Sequence, residues 1–262
     1  GGVPGYWSGH IFHNTSVVLG LWEYYNYTND TEFLKNMAYP VAKHCAAYFM
    51  NNEVYTEENG KTVTVACTDL ERLGASVKNA YMTTCSAIKL FEVFYNITVL
   101  IGEDTEFGKK CLDTADALKK YLPKDGEKYI PYPGCKEKSI GVLSGCFPYK
   151  VQTRDDKFQK NAVDDFVADE LTFGNMYHVG KHISSWYASW KAVVYAELWD
   201  ERVYSSLKQA NESAGCFGEM FEINEKVCVF RPWFTTAAGA YIYAVNRMFV
   251  QRENDIIYIA PS

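Results

Sequence analysis

The fold is decided by the stretch VKNAYMTTCSAIKLFEVFYNITVLIGEDTEFGKKCLDTADALKKYLP, residues 77–123. Apolar side chains recur every three or four positions in its first half, which predicts a long helix over 78–100. This stripe consists of Val77, Tyr81, Cys85, Ile88, Phe91, Tyr95 and Val99. Gly102 and Asp104 predict the end of this helix and the cap of the next one, which Pro123 closes. Two helices with so short a link form an antiparallel αα-hairpin.

The same helical period recurs along most of the chain. It predicts further helices at 14–27, 40–51, 184–199, 201–212 and 235–250, and another that begins after about 162. Asn29 followed by Glu32 resembles a capping box with Asn29 as the cap. DIIYI at 255–259 has the pattern of a strand.

The segment 123–158 breaks the helical pattern, because it is rich in Gly, Pro and Lys. A loop excursion of this length favours a functional role over plain linkage. Roughly eight helices, paired in sequence, then predict an all-α ring of helical hairpins with short β pieces in its loops. We find no linker that would split the chain, so we expect a single domain over 1–262.

Composition limits the class of partner. The chain has 48% hydrophobic and 22% charged residues and a net charge of −6, without a concentrated basic cluster. Nucleic acid is therefore not an expected partner, because phosphate binding needs a basic face. No run approaches the ~20 consecutive apolar residues of a membrane span. Aromatic residues make up 16% of the chain, which suits either a thick core or a groove for sugar rings.

Cysteines and glycosylation motifs point to different compartments. None of the eight cysteines forms a C-x-x-C pair, and Cys45, Cys85 and Cys111 fall on predicted apolar helix faces. This pattern favours buried thiols in a reducing compartment and disfavours a zinc site. Five N-x-S/T motifs would instead suit a secreted glycoprotein. These motifs begin at Asn14, Asn26, Asn29, Asn96 and Asn211.

Three stretches resemble (α/α)6-barrel glycosidases and phosphorylases. LWEYYNYTNDTEFLKNMAYPVAKHCAAYFM, 21–50, is similar to a helix pair of the inverting α-L-fucosidases and the maltose and kojibiose phosphorylases. TDLERLGASVKNAYMTT, 68–84, resembles a phosphorylase segment in which an acidic loop precedes a barrel helix. FGEMFEI and RPWFTTAAGAYIYAVNRM, within 217–248, resemble the last catalytic loop and helix, as in glucoamylase-like enzymes. The resemblance implies an (α/α)6 toroid.

The resemblance also implies a pair of catalytic carboxyl groups. The general acid of the phosphorylase loop falls on Glu71, and Asp69 remains as a possible substitute because one residue separates the two acids. The general base of the glucoamylase-like loop falls on Glu219, with Glu222 as a competitor. Glycoside cleavage needs one protonated and one ionised carboxyl group, held roughly 6.5–9.5 Å apart in inverting enzymes.

Several residues near these loops are candidates for substrate binding. His10 and His13 lie three positions apart without a third ligand nearby, which is poor evidence for a metal site. We therefore expect sugar contacts or packing at these two residues, and no metal or cofactor. The candidates are Trp7, His10, His13, Asp69, Lys181, His182, Trp186, Arg231 and Trp233.

The resulting expectation is an inverting glycoside hydrolase acting on an oligo- or polysaccharide. A phosphorylase that uses inorganic phosphate is one alternative, with Lys181, His182 and Ser184 as its phosphate ligands. A carbohydrate-binding toroid without catalysis is the other. G-x-S-x-G, G-x-G-x-x-G and Walker-type motifs are absent from the sequence. The sequence predicts fewer helices than a twelve-helix barrel needs, and it starts without Met. We therefore expect an additional N-terminal segment in the native protein.

Overall fold

The computed structural model describes residues 9–69, 76–168, 178–179, 182–222, 233–253 and 256–260. Its backbone groups into two compact units. The first consists of Gly1–Val151 with Lys157–Ala162, and the second of Gln152–Asp156 with Val163–Ser262. Helices dominate the described part of both units, and the strands there form only short pairs. The predicted all-α class is confirmed, while the single domain stays a prediction.

The described residues of the first unit form five complete α-helices and the start of a sixth. They are α1 (His13–Thr28), α2 (Thr31–Phe33), α3 (Tyr39–Tyr48), α4 (Tyr81–Ile101), α5 (Thr105–Lys120) and the first turns of α6 (Lys157–Ala168). π-Helical turns follow α2 at Leu34–Ala38 and α3 at Phe49–Glu53, and a 3-10 helix spans Ile140–Gly145. Its described residues also form two antiparallel strand pairs: β1 (Val54–Thr56) with β2 (Thr62–Thr64), and β3 (Lys124–Asp125) with β4 (Lys128–Tyr129).

The hairpin of α4 and α5 forms the core of this unit, as its sequence predicts. Gly102 ends α4 in the left-handed conformation, with φ 72°, and α5 packs back along α4. Fourteen of the 21 residues of α4 are buried, among them Phe91 and Phe94. By length and composition α4 is also apolar enough to cross a membrane. Its burial within the unit is instead the pattern of a core helix.

The predicted free thiols lie in or beside this core. Cys85 of α4 and Cys111 of α5 are completely buried, and Cys45 of α3 is half-buried. All three carry free thiols within the described part of the chain. Burial raises the pKa of all three thiols, which keeps them protonated at neutral pH.

The capping prediction at the second helix is wrong by one residue. Asp30, not Asn29, caps α2, and its Oδ1 accepts a hydrogen bond of 2.9 Å from the backbone N–H of Phe33. Asn29 instead ends α1 in the left-handed conformation, with φ 53°. Asn adopts this conformation more readily than most residues, which explains the difference.

The second unit is built on α7 (Ser185–Leu198), which packs against α8 (Arg202–Glu212) and α9 (Thr235–Phe249). It also holds the end of α6 and two antiparallel strand pairs. These are β5 (His178–Val179) with β6 (His182–Ile183), and β7 (Val250–Glu253) with β8 (Ile256–Ile259). The strand β8 confirms the pattern of DIIYI.

Several helix boundaries differ from the sequence prediction; α4, for example, begins at Tyr81 and not at 78. Helix α6 begins at Lys157 and not after 162, because Gln159 in its first turn bonds the buried Val142 carbonyl at 2.8 Å. Helix α9 ends at Phe249, and β7 follows at once. Buried Gln251 receives a 3.0 Å bond from the indole of Trp199, which fixes this strand beside the end of α7.

Gly108 sets the distance between α4 and α5 in the first unit. A Cβ at this position would overlap Thr98 Oγ1 and lie 3.1 Å from Thr98 Cβ, and that hydroxyl is held by the Tyr95 carbonyl at 2.7 Å. We expect Gly108→Ala to lower the free energy of unfolding by about 1–3 kcal/mol through overpacking. Denaturant titration followed by circular dichroism measures this loss.

Gly20 of α1 is the matched control, because no atom lies within 4 Å of its added Cβ. Gly20→Ala should raise the free energy of unfolding by about 0.5–1 kcal/mol, the usual gain in helix propensity. Equal stabilisation by both substitutions would contradict the close approach of α4 and α5.

Candidate active site

The structure describes seven of the predicted site residues with their side chains. Three belong to the first unit: His10, His13 and Asp69. Four belong to the second unit: Trp186, Glu219, Glu222 and Trp233. The other five lie outside the described residues wholly or in their side chains. These are Trp7, Glu71, Lys181 and Arg231, and the side chain of His182, whose backbone lies in β6.

The two histidines approach the acidic loop of the first unit through Gly9. The Gly9 carbonyl accepts a 3.1 Å bond from the N–H of Thr68, and a Cβ on Gly9 would overlap the Thr68 side chain. His10 is half-buried, and its ring centroid lies 5.7 Å from that of the exposed His13. Burial, assisted by His13, lowers the pKa of His10. A neutral imidazole beside the loop can both donate to and accept from a sugar hydroxyl.

Asp69 follows Thr68 in the chain and is completely buried. Its Oδ2 accepts a 3.1 Å hydrogen bond from Ser139 Oγ, and the same hydroxyl accepts the N–H of Gly141 at 3.0 Å. Its Oδ1 has no hydrogen-bond partner among the described residues. Burial raises the pKa of Asp69 to about 7, although Ser139 and the nearby N–H of Met82 favour the ionised form. Its role in substrate binding stays a prediction.

Asn79 and Tyr81, which carry part of the family resemblance, fix the start of α4. Buried Asn79 has φ 52°, and its amide donates to the Tyr121 carbonyl at 2.7 Å while its oxygen accepts from Thr84. The Tyr81 hydroxyl donates to Gln159 Oε1 in α6. Both side chains are used within the core, so they position the segment that follows the acidic loop.

In the second unit a serine joins the start of α7 to the loop that carries Glu219 and Glu222. Ser185 Oγ accepts the N–H of Phe221 at 2.8 Å and donates to its carbonyl at 3.3 Å. That carbonyl also accepts the N–H of Trp186 at 3.2 Å. We call this arrangement the Ser185–Phe221 clip. It places the acidic loop directly against the first turn of α7.

Aromatic rings gather at the same junction. Trp186 is half-buried, with its ring centroid 5.6 Å from Trp190 and 6.4 Å from Phe234. The backbone N–H of Phe234 donates to the Met220 carbonyl at 2.9 Å, which ties the start of α9 to the acidic loop. Trp233 precedes Phe234 and is 65% exposed, with φ 59°. An exposed indole and a half-buried one offer flat faces of the kind that sugar rings pack on.

The two candidate bases differ in how their loop holds them. Both are half-buried. The Glu219 carboxylate folds back on its own turn, where Oε2 accepts the N–H of Phe217 at 2.9 Å and the side chain packs on Gly215. Glu222 directly follows the clipped residue Phe221. The structure therefore places Trp186, Glu222 and the backbone of the Glu219 loop at one helix start.

Comparison with known proteins identifies the family. The model of the glycosyl hydrolase family 95 catalytic domain matches residues 5–228. The chain belongs to glycosyl hydrolase family 95. Alpha-L-fucosidase 2 from Arabidopsis thaliana is 24% identical to it over 267 aligned positions, which cover 92% of this chain. The chain spans 30% of the length of that relative.

The sequence alone did not reveal two residues that contact the candidate site. Ser139 lies in the irregular segment 123–158 and reaches Asp69 across 70 positions. Ser185 reaches Phe221 across 36 positions. The helix-start pattern at 184–185 was the only local signal, and it fits Ser184, which caps α7 by accepting the N–H of Tyr187. Contacts between segments that are distant in sequence produce no local motif.

The raised pKa of Asp69 predicts a pH-dependent stability of the family 95 domain. The folded state holds this proton up to a pKa of about 7, against the ordinary 3.8, so unfolding releases a proton between these values. The free energy of unfolding should therefore fall as pH rises from about 4 to about 7, by at most about 1.4 kcal/mol per pH unit. Above about pH 7 this contribution is constant.

Asp69→Asn removes this titration. The free energy of unfolding of the variant minus that of the unsubstituted protein should therefore increase from about pH 4 to about pH 7 and then stay constant. Asp69 also interacts with the thiol of Cys67 and the hydroxyl of Tyr132. Their pKa values of about 11 and about 12 keep both groups neutral over this pH range. Urea titrations of both proteins at half-unit pH intervals measure the difference. A constant difference would show that Asp69 does not titrate there.

Proposed function

We propose that this family 95 chain is an inverting glycoside hydrolase with Glu71 as the general acid and Glu219 as the general base. The observation that carries the proposal is the family match, which extends over 5–228 and so includes both acidic loops. In this mechanism Glu71 protonates the leaving oxygen. The base carboxylate removes a proton from a water that attacks the opposite face of the sugar. The product therefore has the inverted anomeric configuration.

The proposed substrate is an oligosaccharide with a terminal α-L-fucosyl group. This assignment rests on the name of the similar Arabidopsis protein, an alpha-L-fucosidase. Fucose has an apolar methyl group and face together with several hydroxyls. In the second unit we propose Trp186 and Trp233 as ring faces for the apolar side of a sugar, and in the first unit we propose His10 and His13 as candidates for binding hydroxyls.

Glu222 remains the second candidate for the base. Its backbone follows Phe221, which donates one hydrogen bond to Ser185 Oγ and accepts one from it, and which accepts a third from the N–H of Trp186. Glu219 has one carboxylate oxygen engaged by Phe217, which leaves the other oxygen for a water. A base needs one free oxygen within hydrogen-bond reach of the water, which Glu219 Oε1 can supply.

The phosphorylase alternative is less well supported. Of its three proposed phosphate ligands, Ser184 is completely buried and its hydroxyl accepts the N–H of Tyr187 at 3.2 Å as the cap of α7. A phosphate ligand would need that hydroxyl at the surface. The family match also favours hydrolysis over both phosphorolysis and binding without catalysis.

Glu71→Gln should lower hydrolysis of a fucosylated oligosaccharide by about 10²–10⁴-fold, because the leaving oxygen loses its proton donor. α-L-Fucosyl fluoride should be much less affected, since fluoride leaves without protonation. Replacement of the true base by Gln should lower the rate of hydrolysis of both substrates. The rate of fucose release by the full-length gene product is measured for each substrate. NMR during early turnover should show β-L-fucose.

Glu58→Gln is the matched control, because it removes one exposed carboxylate from the turn between β1 and β2. It should leave both rates unchanged. Unimpaired oligosaccharide hydrolysis by Glu71→Gln would refute that assignment, and full activity of both Glu219→Gln and Glu222→Gln would refute the base. Formation of a sugar phosphate only when inorganic phosphate is added would favour the phosphorylase.

A further inference from the structure

The Ser185 hydroxyl satisfies both backbone groups of one loop residue. Phe221 is only 2% exposed, so its N–H and carbonyl have little access to water and need partners within the protein. Ser185 Oγ supplies an acceptor at 2.8 Å and a donor at 3.3 Å, in the way that a neighbouring strand would. Ser185 is itself completely buried at the first position of α7. Its hydroxyl therefore serves the loop and does not reach the surface.

The clipped residue lies between the two candidate bases. Glu219 precedes Phe221 by two positions, and Glu222 follows it. Met220, on the other side of Phe221, is held by the N–H of Phe234 at 2.9 Å. The backbone from which both carboxylates project is therefore fixed from α7 at one residue and from α9 at the next.

The same helix start presents a ring at the surface. Trp186 follows Ser185, and its N–H reinforces the clip on the Phe221 carbonyl at 3.2 Å. Its half-buried indole contacts the rings of Trp190 and Phe234. The position of the acidic loop relative to a ring suited to a sugar is thus set by two adjacent residues of α7.

We propose that Ser185 is a positioning residue for the reaction: through Phe221 it holds the base carboxylate of the loop at a fixed place relative to Trp186. The proposal rests on the proposed function, because it takes the base to be Glu219 or Glu222. Ser185 touches neither sugar nor water in this role. Small displacements of a catalytic group are costly, on the order of 10²-fold per ångström, so the loss of the clip should be visible in turnover.

A Thr and Val pair at position 185 tests this role. The two side chains have the same shape, but only Thr keeps the hydroxyl, so any strain from the added methyl group is common to both. Ser185→Val should lower kcat on the fucosylated oligosaccharide about 10–100-fold, on the scale expected for a displaced catalytic group. It should change KM little and shift the acidic limb of the kcat/KM profile, which reports the base. Ser185→Thr should keep most of the activity and the original profile.

Ser189→Ala is the matched control one turn further along α7. Ser189 is also completely buried, and its hydroxyl has no hydrogen-bond partner among the described residues. This variant should keep the rate and the pH profile. A simple loss of folded protein would lower kcat without moving the profile, so the two effects are separable.

Combination with the base variants completes the test. Ser185→Val should add no further loss in whichever of Glu219→Gln and Glu222→Gln lacks the base, because the positioned group is then absent. Additive losses in both backgrounds, or equal behaviour of Ser185→Val and Ser185→Thr, would overturn the role of Ser185. An unsubstituted protein that hydrolyses neither the oligosaccharide nor the fluoride would overturn the proposed function and this proposal together.

Discussion

The first unit depends on the burial of α4. A helix buried around most of its circumference must have its polar side chains and its free N-terminal N–H groups satisfied inside the protein. Several segments therefore converge on its start: Thr64 bonds Thr84, Asn79 bonds the Tyr121 carbonyl, and the N–H of Tyr81 donates to the Pro131 carbonyl. Asp69 lies in the segment that precedes this end of α4. This position explains why Asp69 is buried and why its neighbours are hydroxyls and backbone groups.

The start of α7 in the second unit meets the same requirement. The start of α7 is capped by Ser184, and the next residue uses its hydroxyl on Phe221. The irregular loop before α9 thus receives the partners that a strand would otherwise supply. In both units a helix start and an irregular segment are joined by side-chain hydroxyls. Among the described candidates, Asp69 lies at the first of these joints and Glu222 directly follows the second.

Local patterns were sufficient to predict the helices. The apolar stripe from Tyr81 to Val99 and the Gly102 stop gave α4, and the repeat from Phe107 to Leu118 gave α5. The cap at Asp30 was missed because Asn29 is an equally good local cap signal, and the start of α6 was missed because it is fixed by the tertiary bond of Gln159 to the Val142 carbonyl. The Ser139–Asp69 contact and the Ser185–Phe221 clip could not be predicted, because each joins segments that no short motif relates. The family resemblance correctly indicated the glycosidase clan.

These sequence separations also bear on the order in which the molecule assembles. The α4–α5 hairpin is closed by a link of three residues, whereas the contacts of Asp69 and Ser185 span 70 and 36 positions. Closing a longer loop costs more chain entropy and takes longer, so local hairpins form before distant contacts. The Ser139–Asp69 and Ser185–Phe221 contacts therefore form after the α4–α5 hairpin. Their slow closure makes these non-local contacts, and not the hairpin, the part of assembly that limits the folding rate.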